Sequence, residues 1–235
     1  MSPFLGEFIG TALLIIMGDG VVANVVLNKT KGNNSGWIVI TFGWAMAVFI
    51  GVYASIHFGG SGHLNPAVTF ALALFGDFDK TLTVTFILAQ LAGAITGAII
   101  VWLAYKQHFD ETENKDLKLA VFCTAPAIRN TTFNIITEII GTFVLVFGAF
   151  SMSKSAQTLG ALDALPVALL VLAIGLSLGG PTGYAINPAR DLGPRIAHFI
   201  LPIKNKRDSD WSYSWIPVFG PLIGGAMAAY LFKLL

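Results

Sequence analysis

Six stretches of the chain are continuously apolar over roughly the 20 residues that carry a helix across the hydrocarbon core of a bilayer. They run over Pro3–Leu27, Trp37–Ile56, Leu82–Tyr105, Phe133–Met152, Leu165–Leu178 with its flanks, and Tyr213–Leu235. Polar connections separate them: Asn28–Gly36, rich in Lys, Asn and Gly; the longer Lys106–Asn130, with a cluster of acidic residues; Lys154–Asp163; and the charged Lys204–Trp211. Apolar runs of this length predict helices rather than barrel strands, because backbone facing lipid must satisfy its own hydrogen bonds. The expected class is an all-α polytopic membrane protein.

Two shorter apolar runs break the pattern. Each follows the same phrase, Asn65-Pro66-Ala67 and Asn187-Pro188-Ala189. Asn before Pro before a helix-compatible run reads as an N-cap followed by the first helical position. Val68 to Phe75 ends at Gly76-Asp77, and Leu192 to Leu201 is interrupted by Gly193-Pro194 and closed by Pro202, so both are half-helices too short to cross. The halves also echo each other elsewhere. Glu7-Phe8-Ile9-Gly10-Thr11 returns as Glu138-Ile139-Ile140-Gly141-Thr142, and the small-residue run Gly93–Ala98 returns as Gly224–Ala229 at the same offset. Three spans and one half-helix per copy force the second copy to be inverted in the membrane. The chain is therefore expected to be a single domain, 1–235, with six transmembrane helices plus two half-helices in an inverted repeat. The copies run over about 3–105 and 133–235, joined by 106–132, with the broken helices meeting near the midplane around a permeation site.

Composition sharpens this picture little. About half of the residues are apolar, 25 are glycine, and the net charge of +1 gives no footprint for nucleic acid. The single cysteine, Cys123, excludes an internal disulfide framework and a Cys-rich metal site. The first apolar stretch lacks a basic leader and is too long for a signal-peptide core, so it is expected to remain as a span. Glycines at helical spacing, such as Gly10, Gly18, Gly93, Gly97, Gly141, Gly148, Gly220 and Gly224, suit close helix packing in lipid.

The candidate chemistry gathers at the half-helices. Meeting N-terminus to N-terminus, they aim two positive dipole ends at one point, which is hostile to cations. With their side-chain oxygens spent on their own helices, Asn65 and Asn187 are expected to keep their NH₂ groups free to donate into a lumen. The irregular segments before them, Gly59–Leu64 and Gly179–Ile186, belong at membrane depth only if they line a cavity or lie buried in protein, which nominates the carbonyls of Gly62, His63, Tyr184 and Ala185 as pore acceptors. Arg190, in the first turn of the second half-helix, would repel cations and donate to hydroxyl or carbonyl oxygens; a salt bridge to Asp191 is the competing reading. Glu7 and Glu138 are buried acids at equivalent positions, expected to hold the irregular segments, with proton relay as the alternative. Asp19, between Gly18 and Gly20, has no counterpart in the second half and receives no role beyond a place at a pore mouth. His57, His63, His108 and His198 are scattered, without ligand spacing or a nucleophile motif, so no catalytic residue, metal or cofactor is expected.

With Glu7–Thr11, Ser61–Thr69 and Gly183–Asp191 in hand, the whole chain resembles the major intrinsic proteins, and within them the glycerol-conducting branch. The resemblance implies a homotetramer in the plasma membrane with a pore in every protomer and cytoplasmic termini. Lys and Arg are more numerous in the loops that this topology places outside, against the usual bias. It also implies a four-residue selectivity filter. Gly175, Tyr184 and Arg190 carry over, with glycine in place of the histidine of strict water channels. The fourth position falls on Ala45 by ungapped counting from Asn65, or on Phe42 if the Phe42-Gly43 phrase is matched. Asp191, Arg195 and Pro221-Leu222 fit the same branch. The implied function is passive diffusion of glycerol and water, with neutral lactic acid, urea or dihydroxyacetone as further solutes and ions and protons excluded. The alternative class is a proton-coupled transporter, which also uses inverted repeats and broken helices.

Overall fold

In the computed structural model, residues 1–152 and 160–235 are described. Ten α-helices are found among them: α1 (Pro3–Val26), α2 (Trp37–His57), α3 (Pro66–Phe75), α4 (Thr83–Ala104), α5 (Lys106–Glu111), α6 (Lys115–Ala120), α7 (Thr131–Ser151), α8 (Leu165–Leu178), α9 (Pro188–Ile200) and α10 (Ile216–Leu234). The predicted spans lie within a few residues of α1, α2, α4, α7, α8 and α10. Five are long and apolar enough to cross a membrane. The sixth, α8, has 14 residues, about 21 Å of helix at 1.5 Å per residue, and is led in by one 3₁₀ turn at Gly160–Ala164. Most of the Lys154–Asp163 connection lies outside the described residues.

The two Asn-Pro phrases begin helices in the way their chemistry dictates. Asn65 and Asn187 are extended N-caps whose side chains accept from the second helical residue, and proline takes the first position, where a missing N–H costs nothing. The expected interruption at Gly193-Pro194 does not end α9. The helix runs on through Pro194 to Ile200, leaving the Arg190 carbonyl without its usual i+4 donor. The 106–132 connection is more ordered than its polar composition suggests. It holds the short helices α5 and α6, the latter capped by Asn114.

The inverted repeat is visible in the packing. In one half α1 lies against α2 and α4; in the other α7 lies against α8 and α10; and α2 meets α8 between them. The half-helices are exchanged. α3 packs chiefly on α10, and α9 chiefly on α4, so each is held by the opposite half. Large apolar side chains such as Ile38, Val84, Leu88, Phe133 and Leu169 are exposed on the outside, as suits a surface solvated by lipid.

Two glycines at equivalent repeat positions set the closest helix approaches. A Cβ on Gly93 would run into the carbonyl oxygen of Phe8, and one on Gly224 into that of Ile139. Backbone cannot yield as a side-chain tip can. Gly224→Val should therefore cost about 1–3 kcal/mol or more by overpacking and lower the thermal midpoint of detergent-solubilised protein. Gly20→Ala, whose Cβ would meet nothing within 4 Å, should leave the midpoint unchanged or slightly raised. Equal midpoints for the two variants would rule out close approach as the reason for glycine at 224.

Candidate functional site

The segments that lead into α3 and α9 are built alike, and both are strained. Leu64 has φ +51° and Ile186 +43°, with Tyr184 at +39°, in the left-handed region that non-glycine residues seldom occupy and β-branched ones almost never. Gly62 and Gly183 share that region without steric cost. The bent backbone turns successive N–H groups toward one buried acid per half.

Glu7 Oε1 accepts from Ser55 Oγ (2.9 Å), Ser61 N (3.2 Å) and His63 N (3.1 Å), and Oε2 from Leu64 N and Gln90 Nε2 (both 2.8 Å). Glu138 Oε1 accepts from Thr182 Oγ1 (2.7 Å) and Ala185 N (3.0 Å), and Oε2 from Ile186 N (2.8 Å). An ionised carboxylate is acceptor-only, with about four lone-pair sites, so it can gather donors that no helix or sheet would satisfy at this depth. With this many donors spent on them, the two acids act as struts.

The half-helices then meet head to head, and the junction is locked twice. Asn65 Nδ2 donates to the Ile186 carbonyl and Asn187 Nδ2 to the Leu64 carbonyl, each at 2.8 Å. Asn65 Oδ1 accepts from Ala67 N (2.9 Å), and Asn187 Oδ1 from Ala189 N (3.0 Å) and Arg190 N (3.2 Å). This corrects the expectation of free NH₂ groups. One N–H of each amide crosses to the opposite segment, and the other has no partner among the described residues.

Asn65 and Asn187 line a cavity of about 120 Å³ together with Gly62, His63, Leu64, Tyr184, Ala185, Ile186 and Arg190, and with the apolar side chains of Leu14, Val48, Val52, Val68, Leu145, Val167 and Val171. The carbonyls of Gly62, His63, Tyr184 and Ala185 accept no backbone hydrogen bond among the described residues. A wider cavity, bordered by Ser61, Asp77, Phe78 and Lys233, shares His63 and Ala149 with this one. The His63 ring stays at the wall, packed on Phe78 and Phe86 with centroids 4.8 and 4.9 Å away, and its Nδ1 lies 3.1 Å from Thr69 Oγ1.

At the other end the Arg190 guanidinium lies on the face of Trp44, 4.1 Å from the ring centroid, a favourable cation–π contact. Trp44 lines the cavity, whereas Phe42 is 52% exposed on the outside and Ala45 is fully buried in packing. Neither Phe42 nor Ala45 reaches the lumen. A helical face was the signal available: Trp44, Val48 and Val52 recur every four residues and all three line the cavity. Tyr184 stands edge-on to Trp37, centroids 5.8 Å apart. Gly175 gives it room, since a Cβ there would come within 2.8–2.9 Å of the Tyr184 ring and of Thr41 Cγ2. Trp37 Nε1 donates to the Gly175 carbonyl at 3.0 Å, fixing the wall behind.

Asp191 is not the partner of Arg190. It accepts from Thr124 N and Oγ1 (2.8 and 2.7 Å) and pairs with Arg195 at 2.8 Å. Arg195, fully buried, also donates to the carbonyls of Ser209, Asp210 and Thr124, tying the segments on either side of the second repeat's half-helix to α9. Among the described residues the carboxylate that faces Arg190 is Asp19, 3.9 Å from Nη1. No group of three or more potential metal ligands occurs among the described residues.

Comparisons with known proteins place this geometry. A family model described as Major intrinsic protein matches residues 1–232. The chain is 58% identical to the "Probable glycerol uptake facilitator protein" of Thermotoga maritima, over 99% of both chains. It is 54% identical to "Glycerol uptake facilitator protein 3" of Lactiplantibacillus plantarum, over 98% of this chain and 95% of that one. Among solved structures, the aquaglyceroporin from Plasmodium falciparum superposes with a TM-score of 0.86 at 30% identity, covering 98% of this chain and 94% of that one.

The struts give a graded prediction. Replacing either acid by glutamine turns one acceptor oxygen into an NH₂ group that confronts N–H donors, at a cost of about 1–3 kcal/mol. Glu7 gathers five donors and Glu138 three. Glu7→Gln should thus lower the thermal midpoint in detergent more than Glu138→Gln; the reverse order would mean that the donors are not what the carboxylates hold.

Proposed function

The chain belongs to the major intrinsic protein family, and we propose that it is a passive facilitator for glycerol and other small neutral solutes, with water as co-permeant. It is a multi-pass membrane channel and not an enzyme. The observation that carries the reading is the guanidinium of Arg190 laid on Trp44 beside Tyr184 at one end of a largely apolar cavity. Such a constriction is amphipathic. The aromatic faces take the carbon skeleton of a polyol, and the free guanidinium donors take its hydroxyls.

The selectivity filter in this proposal is Trp44, Gly175, Tyr184 and Arg190. Past it, a solute in single file exchanges water for the carbonyls of Gly62, His63, Tyr184 and Ala185, and at the centre for the remaining N–H of Asn65 and of Asn187. Cations meet Arg190 and two half-helix N-termini, all positive, and are turned back. Neutral lactic acid, urea and dihydroxyacetone satisfy the same size and hydrogen-bonding requirements. Proton coupling is disfavoured because the candidate carriers, Glu7 and Glu138, are occupied by backbone donors. We place the protein in the plasma membrane as a homotetramer, one pore per protomer, with both termini cytoplasmic, following the family resemblance.

Proteoliposomes carrying the protein should swell in a glycerol gradient far faster than empty vesicles, and a protonophore should leave the rate unchanged; uptake abolished by the protonophore would establish a coupled transporter instead. Gly175→His brings a side chain against Tyr184 and Thr41 and should lower glycerol flux about tenfold or more, as a displaced contact of roughly 1.4 kcal/mol or above requires, with a smaller loss of water flux. Equal loss of both would count against the filter assignment.

A further inference from the structure

Asp19 is the buried carboxyl group that the pore described above does not use. Its side chain is 0% exposed, in the middle of α1, and neither carboxylate oxygen has a hydrogen-bond partner among the described residues. Arg190 Nη1, 3.9 Å away, is likewise buried and without a partner. A buried carboxylate with no donor is costly, and a specific one calls for a reason. The charges around it supply that reason. Asp191 is matched by Arg195 at 2.8 Å, so Asp19 is the remaining carboxylate opposite the remaining cation. The preceding residue serves the same place, because Gly18 leaves the room into which the Trp44 ring packs.

The potential along the pore makes this counter-charge consequential. Two half-helix N-termini and one guanidinium all present positive ends. They explain the rejection of cations, but the same field would draw anions in. Among the described residues, Asp19 is the carboxylate within ion-pair distance of that guanidinium. We propose that Asp19 is a positioning and specificity-determining residue: the buried counter-charge of Arg190, which holds the guanidinium on Trp44 and keeps the constriction near neutral, so that small anions gain nothing by entering. The inference rests on the reading of Trp44, Tyr184 and Arg190 as the filter of a neutral-solute channel.

The test compares glycerol and nitrate permeability in proteoliposomes of the wild type and of Asp19→Asn, which keeps the shape and removes the charge. Wild-type vesicles are expected to pass glycerol and hold nitrate out. Asp19→Asn is expected to raise the nitrate-to-glycerol ratio at least about threefold, the lower end of what coupling between two contacting charges produces. A merely structural role would lower both fluxes together, and a wild-type ratio in the variant overturns the inference while leaving the glycerol reading intact. A wild type that passes no glycerol overturns that reading and this inference with it. Should Asp19→Asn fail to give monodisperse protein, the neutral pair Asp19→Asn with Arg190→Gln is expected to restore assembly; a pair that assembles no better than the single variant overturns the inference.

Discussion

The structure depends on satisfying non-helical backbone at membrane depth. Six residues ahead of α3, Gly59–Leu64, and eight ahead of α9, Gly179–Ile186, leave the helical hydrogen-bond ladder, in a place where water cannot take over for the buried N–H groups. Two carboxylates solve the problem by collecting amide protons in clusters, Glu7 from Ser61, His63 and Leu64, and Glu138 from Ala185 and Ile186. The bend that aims the amides at the acid also forces Leu64 and Ile186 into left-handed conformations, at about 1–3 kcal/mol each. That strain is what points their carbonyls across the junction. Each is then taken by the asparagine of the other half.

A lock of this kind is symmetric, and the symmetry limits what it can select. Asn65 and Asn187 perform the same two bonds, and the dipoles of α3 and α9 converge from opposite sides. Such a centre discriminates charge from neutrality but reads little of a solute's shape. The proposed filter lies off the axis and draws on residues that the repeat does not duplicate: Trp44 from α2, Gly175 from α8, Tyr184 from the second irregular segment and Arg190 from α9. Exchange of the half-helices makes this possible, since α9 rests on α4 and so carries Arg190 into the wall of the first half, within 4.1 Å of Trp44 and 3.9 Å of Asp19.

The sequence made the symmetric part legible and hid much of the rest. Two Asn-Pro-Ala phrases, and the Glu-x-x-Gly-Thr and small-residue pairs that share one offset, are repeat signals, and each lies at a contact that both halves must make. Trp44 escaped because helix α2 is apolar on every side, so that lipid and lumen faces share one composition and periodicity is weak. Counting from a motif across the Gly59–Gly60 bend then landed one residue to one side, on Ala45, and matching the Phe42-Gly43 phrase two residues to the other. The second bond of each asparagine amide was illegible for another reason. It links residues about 120 positions apart, and cap chemistry is local. Asp19 has no copy in the second half, and its partner is chosen by helix exchange alone.

The two arginines of α9 show how burial and pairing separate a scaffold charge from a working one. Arg195 is fully buried, and its Nε, Nη1 and Nη2 are spent on Asp191, Ser209, Asp210 and Thr124. A guanidinium in that state has no donor left for a passing hydroxyl. Arg190, one turn earlier, is 8% exposed, lines the cavity and rests on an aromatic face, with a carboxylate beyond hydrogen-bond distance. In the reading proposed above, Asp19 balances its charge without taking its donors. A neutral solute in single file requires that combination, because each hydroxyl must find a donor already desolvated and must also be able to leave it. Arg195 makes the arrangement durable: by fixing Asp191 and the segments on either side of α9 it keeps that carboxylate away from Arg190, and so prevents the tight pair that would close the site.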